Sequence, residues 1–166
     1  MKKISLTNLP IVIIGGAGFI GHNLALHLKK LGAKVSIIDG LSVNHLGSVV
    51  DNSDSLPNPE LTKNILNERL RLLKESGIPL YVQDAREYHE LSMLFTKINP
   101  KVVVHLAAVS HANRSNKDPH STFDHSLRTL ENSLDNAKKR IDHFIFLSSS
   151  MVYGNFKSDK VDEKTI

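Results

Sequence analysis

Two sets of residues in this chain have types and spacings that can do chemistry. The first is Gly15-Gly16-Ala17-Gly18-Phe19-Ile20-Gly21, which carries the pattern G-x-x-G-x-x-G. Glycines at these intervals let a chain turn tightly after a strand, bring its backbone close to an anion, and press the start of a helix inward. The free N–H groups and the positive end of the helix dipole then meet phosphate, so Gly15, Gly18, Phe19, Ile20 and Gly21 are candidates for holding a pyrophosphate. The second is Asp39, which follows Gly21 by 18 residues. An acid at that distance suits the ribose hydroxyls of a dinucleotide. Gly40 rather than an arginine comes next, so a 2′-phosphate would meet a carboxylate and no cation, which favours NAD over NADP. The plain structural alternative is a glycine turn with an incidental acid. A P-loop is a poorer reading still, because no Gly-Lys-Ser/Thr follows the glycines.

Other chemistries find less support. The chain has no cysteine, which excludes disulfides, thiolate metal sites, iron–sulfur clusters and cysteine nucleophiles. It has nine histidines. The pairs His22/His27 and His120/His125 are each five apart, so on a helix they diverge by about 140° and share no face. There is no His-Glu-x-x-His, His105 reads as a packed strand-end residue, and His111 as a border of the groove; no metal is expected. Lys138, Lys139 and Arg140 read as a solvated helix end. The Asn113-Arg114-Ser115 sequon carries no meaning in a cytoplasmic protein.

The elements that must position these residues alternate along the chain. Pro10 introduces the β-branched run Ile11–Ile14, which has the composition of a strand buried on both faces. Phe19, Ile20, Leu24, Leu28 and Leu31 recur at helical spacing before Gly32, and a second strand spans Val35–Ile38. Residues 41–59 read as an irregular excursion rich in Ser, Asn, Asp and Pro. Leu61, Ile65, Leu66, Leu70 and Leu73 give an amphipathic helix ending near Gly77. Strands Leu80–Val82, Val102–Leu106 and Phe144–Leu147 are separated by a helix over Glu87–Ile98 and a long one over about His120–Arg140. Strands alternating with helices predict an α/β fold, a Rossmann-type doubly wound parallel sheet in the order 3-2-1-4-5 with helices on both faces.

The 166 residues suffice for one core, with 40% hydrophobic and 23% charged residues. A net charge of +4 is too mild and scattered to suggest nucleic acid, although a pI of 9.3 keeps a polynucleotide-binding protein as a third reading. The only apolar N-terminal run, Ile11–Ile14, is far short of a membrane span and lacks a cleavage site, so a cytoplasmic protein with no membrane partner is expected.

Five motifs in order carry a family resemblance: GGAGFIG, Asp39, Asp84-Ala85-Arg86, His105-Leu106-Ala107-Ala108 and Ser148-Ser149-Ser150-Met151-Val152-Tyr153-Gly154. From about Ile11 to Gly154 the chain resembles the N-terminal half of an extended short-chain dehydrogenase/reductase, the NAD-dependent nucleotide-sugar epimerase/dehydratase family. The resemblance implies NAD as cofactor and a nucleotide sugar as substrate of the full-length protein. It places Asp84 and Ala85 beside the adenine ring, with the Asp84 carboxylate accepting from the exocyclic amine. Leu106, Ala107 and Ala108 would line the cofactor groove, and Ser42 and Asn44 would add contacts to the adenosine phosphate or ribose. Ser149 matches the active-site Ser/Thr that hydrogen-bonds the reacting sugar hydroxyl.

The departures are equally specific. The family's catalytic Tyr-x-x-x-Lys pair lies on a helix beyond the serine motif, followed by a substrate domain, and this chain stops before either. Tyr153 and Lys157 do spell Tyr-x-x-x-Lys, but Tyr153 matches the non-catalytic Tyr of a Val-Tyr-Gly stretch, and Gly154 disfavours a helix. The pair reads as a decoy. Ser126 and Thr129 stand where Asn and Gly are usual, which would weaken the usual active-site water and backbone support. The resulting expectation is a 1–154 NAD-binding domain with a polar 155–166 tail that starts the missing catalytic region, inactive by itself. The alternative is a stand-alone dinucleotide-binding module without chemistry. The family's two-fold four-helix interface implies a homodimer through the 120–140 helix, whose core face would be Leu127, Leu130, Leu134 and Ala137.

Overall fold

The computed structural model describes residues 5–42, 49, 56–109, 118–155 and 160–165, and of Met151 only the backbone. Strand β1 (Pro10–Ile14) leads into helix α1 (Phe19–Lys30), β2 (Lys34–Asp39), α2 (Pro59–Glu75), β3 (Leu80–Val82), α3 (Tyr88–Ile98) and β4 (Val102–His105). A short helix α4 (Pro119–Thr122), a π-helical stretch Phe123–Arg128 and α5 (Thr129–Ala137) then run into one another, ahead of β5 (His143–Phe146) and a 3₁₀ turn at Ser150–Tyr153. The sheet is parallel throughout, in the expected order β3-β2-β1-β4-β5.

Because β1 is central and apolar at every position after Pro10, its side chains serve two cores. Ile11 and Ile13 pack with Val35, Ile37 and Val104 against Ala25 of α1 and Leu73 of α2. Val12 and Ile14 pack with Ile38 and Val103 against Leu91 and Phe95 of α3 and Ala137 of α5. Two helical layers therefore cover the strands, as right-handed crossovers on a parallel sheet require.

Several faces differ from expectation. In α1 the buried residues are Gly21, His22 and Ala25, while Phe19, Ile20 and Leu31 are exposed. Ala25 enters the core there, with Leu24, Leu26 and Leu28 packed against it only partly buried. In α2 Leu66 and Leu73 are buried, but Leu61 and Ile65 are exposed. The expected helix to Arg140 ends at Ala137, where Lys138 turns extended and Lys139 adopts φ +61°.

Of the expected core face of that helix, Ala137 is buried and Leu130 half-buried, but the rest turns outward. Its buried stripe is Thr129, Asn132, Ser133, Asn136 and Ala137, whereas Leu127 is 53% and Leu134 47% exposed. The polar residues are tolerated inside because each is bonded. Thr129 Oγ1 donates to the carbonyls of His125 at 2.8 Å and Ser126 at 3.1 Å, and Ser133 Oγ donates to that of Thr129 at 2.6 Å. Asn136 Nδ2 donates to the Asn132 carbonyl at 2.9 Å. Short polar side chains that bond back into their own helix bury little volume and leave no orphaned donor.

Candidate functional site

A parallel sheet sends the carboxyl ends of all its strands to one edge, and in a doubly wound fold ligands bind in the crevice outside that edge. Along this edge the order of strands sets Asp84, Asp39, the glycine turn, Leu106–Ala108 and Ser149 side by side. With strands about 4.8 Å apart, the row from β3 to β5 spans roughly 19 Å.

The glycine turn sits at the middle. Gly15 has φ +77°, and a Cβ on it would come within 2.8 Å of the Ala107 backbone nitrogen. The turn is thus pressed against the end of β4, with Leu106 N–H donating to the Ile14 carbonyl at 2.8 Å. A Cβ on Gly21 would lie 2.5 Å from Gly16 Cα. The expected reason for Gly21 was contact between helix and sheet; the close contact is with the turn itself. Gly18 is the extended N-cap of α1, with no side-chain cap and no acid in the first turn. The first-turn N–H groups therefore keep their positive potential, which fits a pyrophosphate.

Asp39 closes the turn from behind. Its Oδ2 accepts from Ala17 N–H at 2.8 Å and its Oδ1 from Leu41 N–H at 2.7 Å, and the residue is only 9% exposed. Burial pushes the carboxyl pKa up, and the two backbone bonds oppose that shift. Ser42 is an exposed bend after it; Asn44 lies outside the described residues.

At the end of β3, Asp84 is already engaged. Arg86 Nη2 donates to Asp84 Oδ2 at 2.6 Å, and Arg86 Nε lies 3.0 and 3.1 Å from the two carboxylate oxygens. The Arg86 backbone N–H adds a bond to Oδ1 at 2.9 Å. The Arg86 guanidinium holds Asp84 below the usual carboxylate range. Arg86 is fixed in turn by Asp124 of the π-helical stretch, at 2.6 Å, and Arg128 Nε pairs with the other Asp124 oxygen at 2.7 Å. Asn132 of α5 donates to the carbonyls of Ala85 at 3.0 Å and Arg86 at 2.8 Å. Sequence reading gave Arg86, Asp124 and Asn132 no role; only their convergence from two parts of the chain reveals it. Ser126, one of the departures noted above, accepts from Val109 N–H at 3.1 Å and so braces the segment after β4.

Leu106 and Ala107 are half-buried with their backbone against the glycine turn, and Ala108 is exposed; all three follow β4 at this edge. Ser149 is exposed beyond β5, and its carbonyl accepts from Val152 N–H at 3.2 Å. Tyr153 ends the 3₁₀ turn at Gly154, which has φ +62°, and its hydroxyl donates to the Asp162 carbonyl at 3.2 Å. Lys157, Ser110 and His111 lie outside the described residues. Among the described residues no three His, Asp or Glu side chains are placed to hold a metal ion, and no helix is long and apolar enough to cross a membrane.

Residues 11–166 match the model of the NAD dependent epimerase/dehydratase family. The chain belongs to that family. Among its relatives is the UDP-glucose 4-epimerase of Mycoplasma genitalium, 30% identical over 159 residues, which covers 94% of this chain and 40% of the relative. The dTDP-D-glucose 4,6-dehydratase of Dictyostelium discoideum is 28% identical over 161 residues, 93% of this chain and 32% of the relative. A UDP-glucose-4-epimerase from Stenotrophomonas maltophila, solved with NAD and formylated UDP-arabinopyranose, shares the fold with a TM-score of 0.74 at 23% identity, over 95% of this chain and 42% of that one. The chain thus spans about two fifths of the length of the first of these relatives. The epimerase/dehydratase match also extends past Gly154 to include the polar tail.

Proposed function

We propose that this chain holds NAD along the carboxyl edge of its sheet, as the cofactor-binding part of a nucleotide-sugar 4-epimerase or 4,6-dehydratase. The observation that carries the reading is the glycine cradle, pressed against Ala107, closed by Asp39 and uncapped at α1. The N–H groups from Gly18 to Gly21 would hold the pyrophosphate. The remaining lone pairs of Asp39 would accept from the adenosine ribose hydroxyls, with Ser42 and Asn44 alongside. Asp84 and Ala85 would meet the adenine, and Leu106, Ala107 and Ala108 would bound the groove. When bound, NAD supplies a reversible hydride acceptor for oxidation at the sugar C4.

In this reading Ser149 hydrogen-bonds the reacting sugar hydroxyl and does not remove its proton, since a neutral serine is too weak a base. Tyr153 is tied to Asp162 at the end of a single turn, which supports reading Tyr153 and Lys157 as a decoy. Residues 1–154 are the NAD-binding unit and 155–166 begin the remaining catalytic region. The 166-residue chain should bind NADH saturably, seen as fluorescence enhancement, and show no turnover of UDP-glucose or dTDP-glucose. Absence of NADH binding would sink the reading. Turnover abolished by Tyr153→Phe would show that the pair is catalytic after all. A cytoplasmic location belongs to the same reading, because NAD and nucleotide sugars are intracellular metabolites.

The leucine ridge supports a second element of the proposal, a homodimer. Leu127, Leu130 and Leu134 line one outward strip of the 119–137 helix, flanked by Glu131, Asp135 and Lys138. Exposed Tyr88 of the adjacent α3, whose hydroxyl donates to Asp135 at 2.6 Å, extends that surface. Two copies related by a two-fold axis would bury such a self-complementary face.

A further inference from the structure

We propose that Arg86 is a positioning residue for adenine recognition: anchored by Asp124, it fixes the Asp84 carboxylate in one orientation at the end of β3, so that its remaining acceptor site selects a base bearing an exocyclic amine. The proposal rests on the NAD reading above and adds to it a reason why the adenine subsite is selective.

An aspartate at a strand end has two soft torsions, and unrestrained it samples several rotamers. Here three nitrogens of one residue hold it: the backbone N–H, Nε and Nη2 of Arg86. A two-point grip by a planar guanidinium fixes a carboxylate's plane as well as its position. Arg86 itself has little freedom, because Nη1 donates to Asp124 at 2.6 Å and lies 3.3 Å from His125 Nε2. The backbone beneath is pinned by Asn132 on the carbonyls of Ala85 and Arg86. Asp84 and Arg86 are each about one third exposed, so the pair borders solvent at the open end of the crevice.

The pairing also sets the chemistry. A carboxylate has about four acceptor sites, and the three N–H groups of Arg86 occupy about three of them, leaving about one acceptor and no donor. Such a group accepts from an amine and repels a carbonyl oxygen. The neighbouring guanidinium offsets its charge, so selectivity comes from the direction of hydrogen bonding.

The test compares NAD with nicotinamide hypoxanthine dinucleotide, in which a carbonyl oxygen replaces the exocyclic amine, by calorimetric titration of the 166-residue chain. The wild type should prefer NAD by about tenfold or more, the worth of one charge-assisted hydrogen bond. Asp84→Asn should bring that ratio close to one. Arg86→Gln should lower it several-fold, Arg86→Lys should recover part of it, and Asp124→Asn should lower it less. Combining Asp84→Asn with Arg86→Gln should change the ratio no further than Asp84→Asn does. If Asp84→Asn leaves the ratio unchanged, the adenine assignment itself fails. If Asp84→Asn lowers it while Arg86→Gln weakens both ligands equally, Arg86 is merely structural and the proposal is overturned. Should Arg86→Gln fail to fold, Arg86→Lys and Asp124→Asn decide, and an unchanged ratio in both overturns it.

Discussion

Asp39 Oδ2 accepts the backbone N–H of Ala17 at 2.8 Å, joining the end of β2 to the glycine turn across 22 residues of chain. The acid that the spacing assigns to a ribose is thus also a structural partner of the loop assigned to the pyrophosphate. One substitution at this position disturbs both parts of the proposed site.

Asp39→Ala removes the acceptor for two backbone N–H groups, one of them buried. We expect a stability loss of about 1–3 kcal/mol, the cost of leaving such donors unsatisfied, seen as a lower thermal midpoint without ligand. NAD affinity should fall at least about tenfold. Asp39→Asn keeps one acceptor and is relieved of burying a charge, so it should melt above Asp39→Ala. A ligand-free Asp39→Ala protein as stable as the wild type would contradict the bracing role.

NADP(H) should bind at least several-fold more weakly than NAD(H), because its 2′-phosphate would approach the Asp39 carboxylate. Asp39→Ser should narrow the gap. Gly40→Arg should not convert the site cleanly, since a Cβ at Gly40 lies 3.3 Å from Asp84 Cα and must push on the adenine side of the crevice. Parallel titrations check both statements, and equal wild-type affinities would refute the first.

Leu134→Glu puts a charge into the outward leucine ridge, where the native side chain is 47% exposed in the single chain. The fold should tolerate it, with a change within about 0.5 kcal/mol as for most surface sites. Light scattering at micromolar concentration should show a dimer for the wild type and an 18.4 kDa monomer for the variant. A wild-type monomer would remove the dimer from the proposal.

His105 predicts an acid-sensitive fold. It is 1% exposed, neither ring nitrogen has a hydrogen-bond partner among the described residues, and its ring lies 6.2 Å from that of Phe144 and 6.1 Å from that of Phe146. Burial pushes its pKa down from 6.5 to about 4, and the Ala107 backbone, which forms no geometric hydrogen bond with the ring, opposes this only in part. Between those values the unfolded chain binds the proton and the folded chain does not. The contribution to stability is therefore complete above pH 6.5 and is lost as pH falls toward 4, at about 1.4 kcal/mol per unit and a few kcal/mol in all. Denaturant melts across that range should show the slope in the wild type and lose this component in His105→Phe. Identical slopes would refute the assignment.

Much of the molecule follows from the sequence alone, for local reasons. Four consecutive β-branched residues between Pro10 and Gly15 can hardly form anything but a buried strand, and strands alternating with helices in one chain can cover both faces of a sheet in few ways. Positive φ at Gly15 and the acid at the end of β2 mark the proposed cofactor site through backbone geometry that a pattern of glycines records directly.

What tertiary structure decided is which face of each element turns inward. Leu127 and Leu134 look like core residues by periodicity, yet Thr129, Asn132, Ser133 and Asn136 take the inside because their hydrogen bonds are satisfied there. Phe144–Leu147 reads as a strand of apolar residues, yet β5 is at the sheet edge and Ile145, Phe146 and Leu147 remain exposed. The partnership of Asp84 with Arg86 is two residues long and could be guessed; its anchoring by Asp124, 38 residues further on, could not. Periodicity records that a side chain is apolar or polar. Only the packed chain supplies the neighbours that make burying one, or exposing the other, the lower free energy.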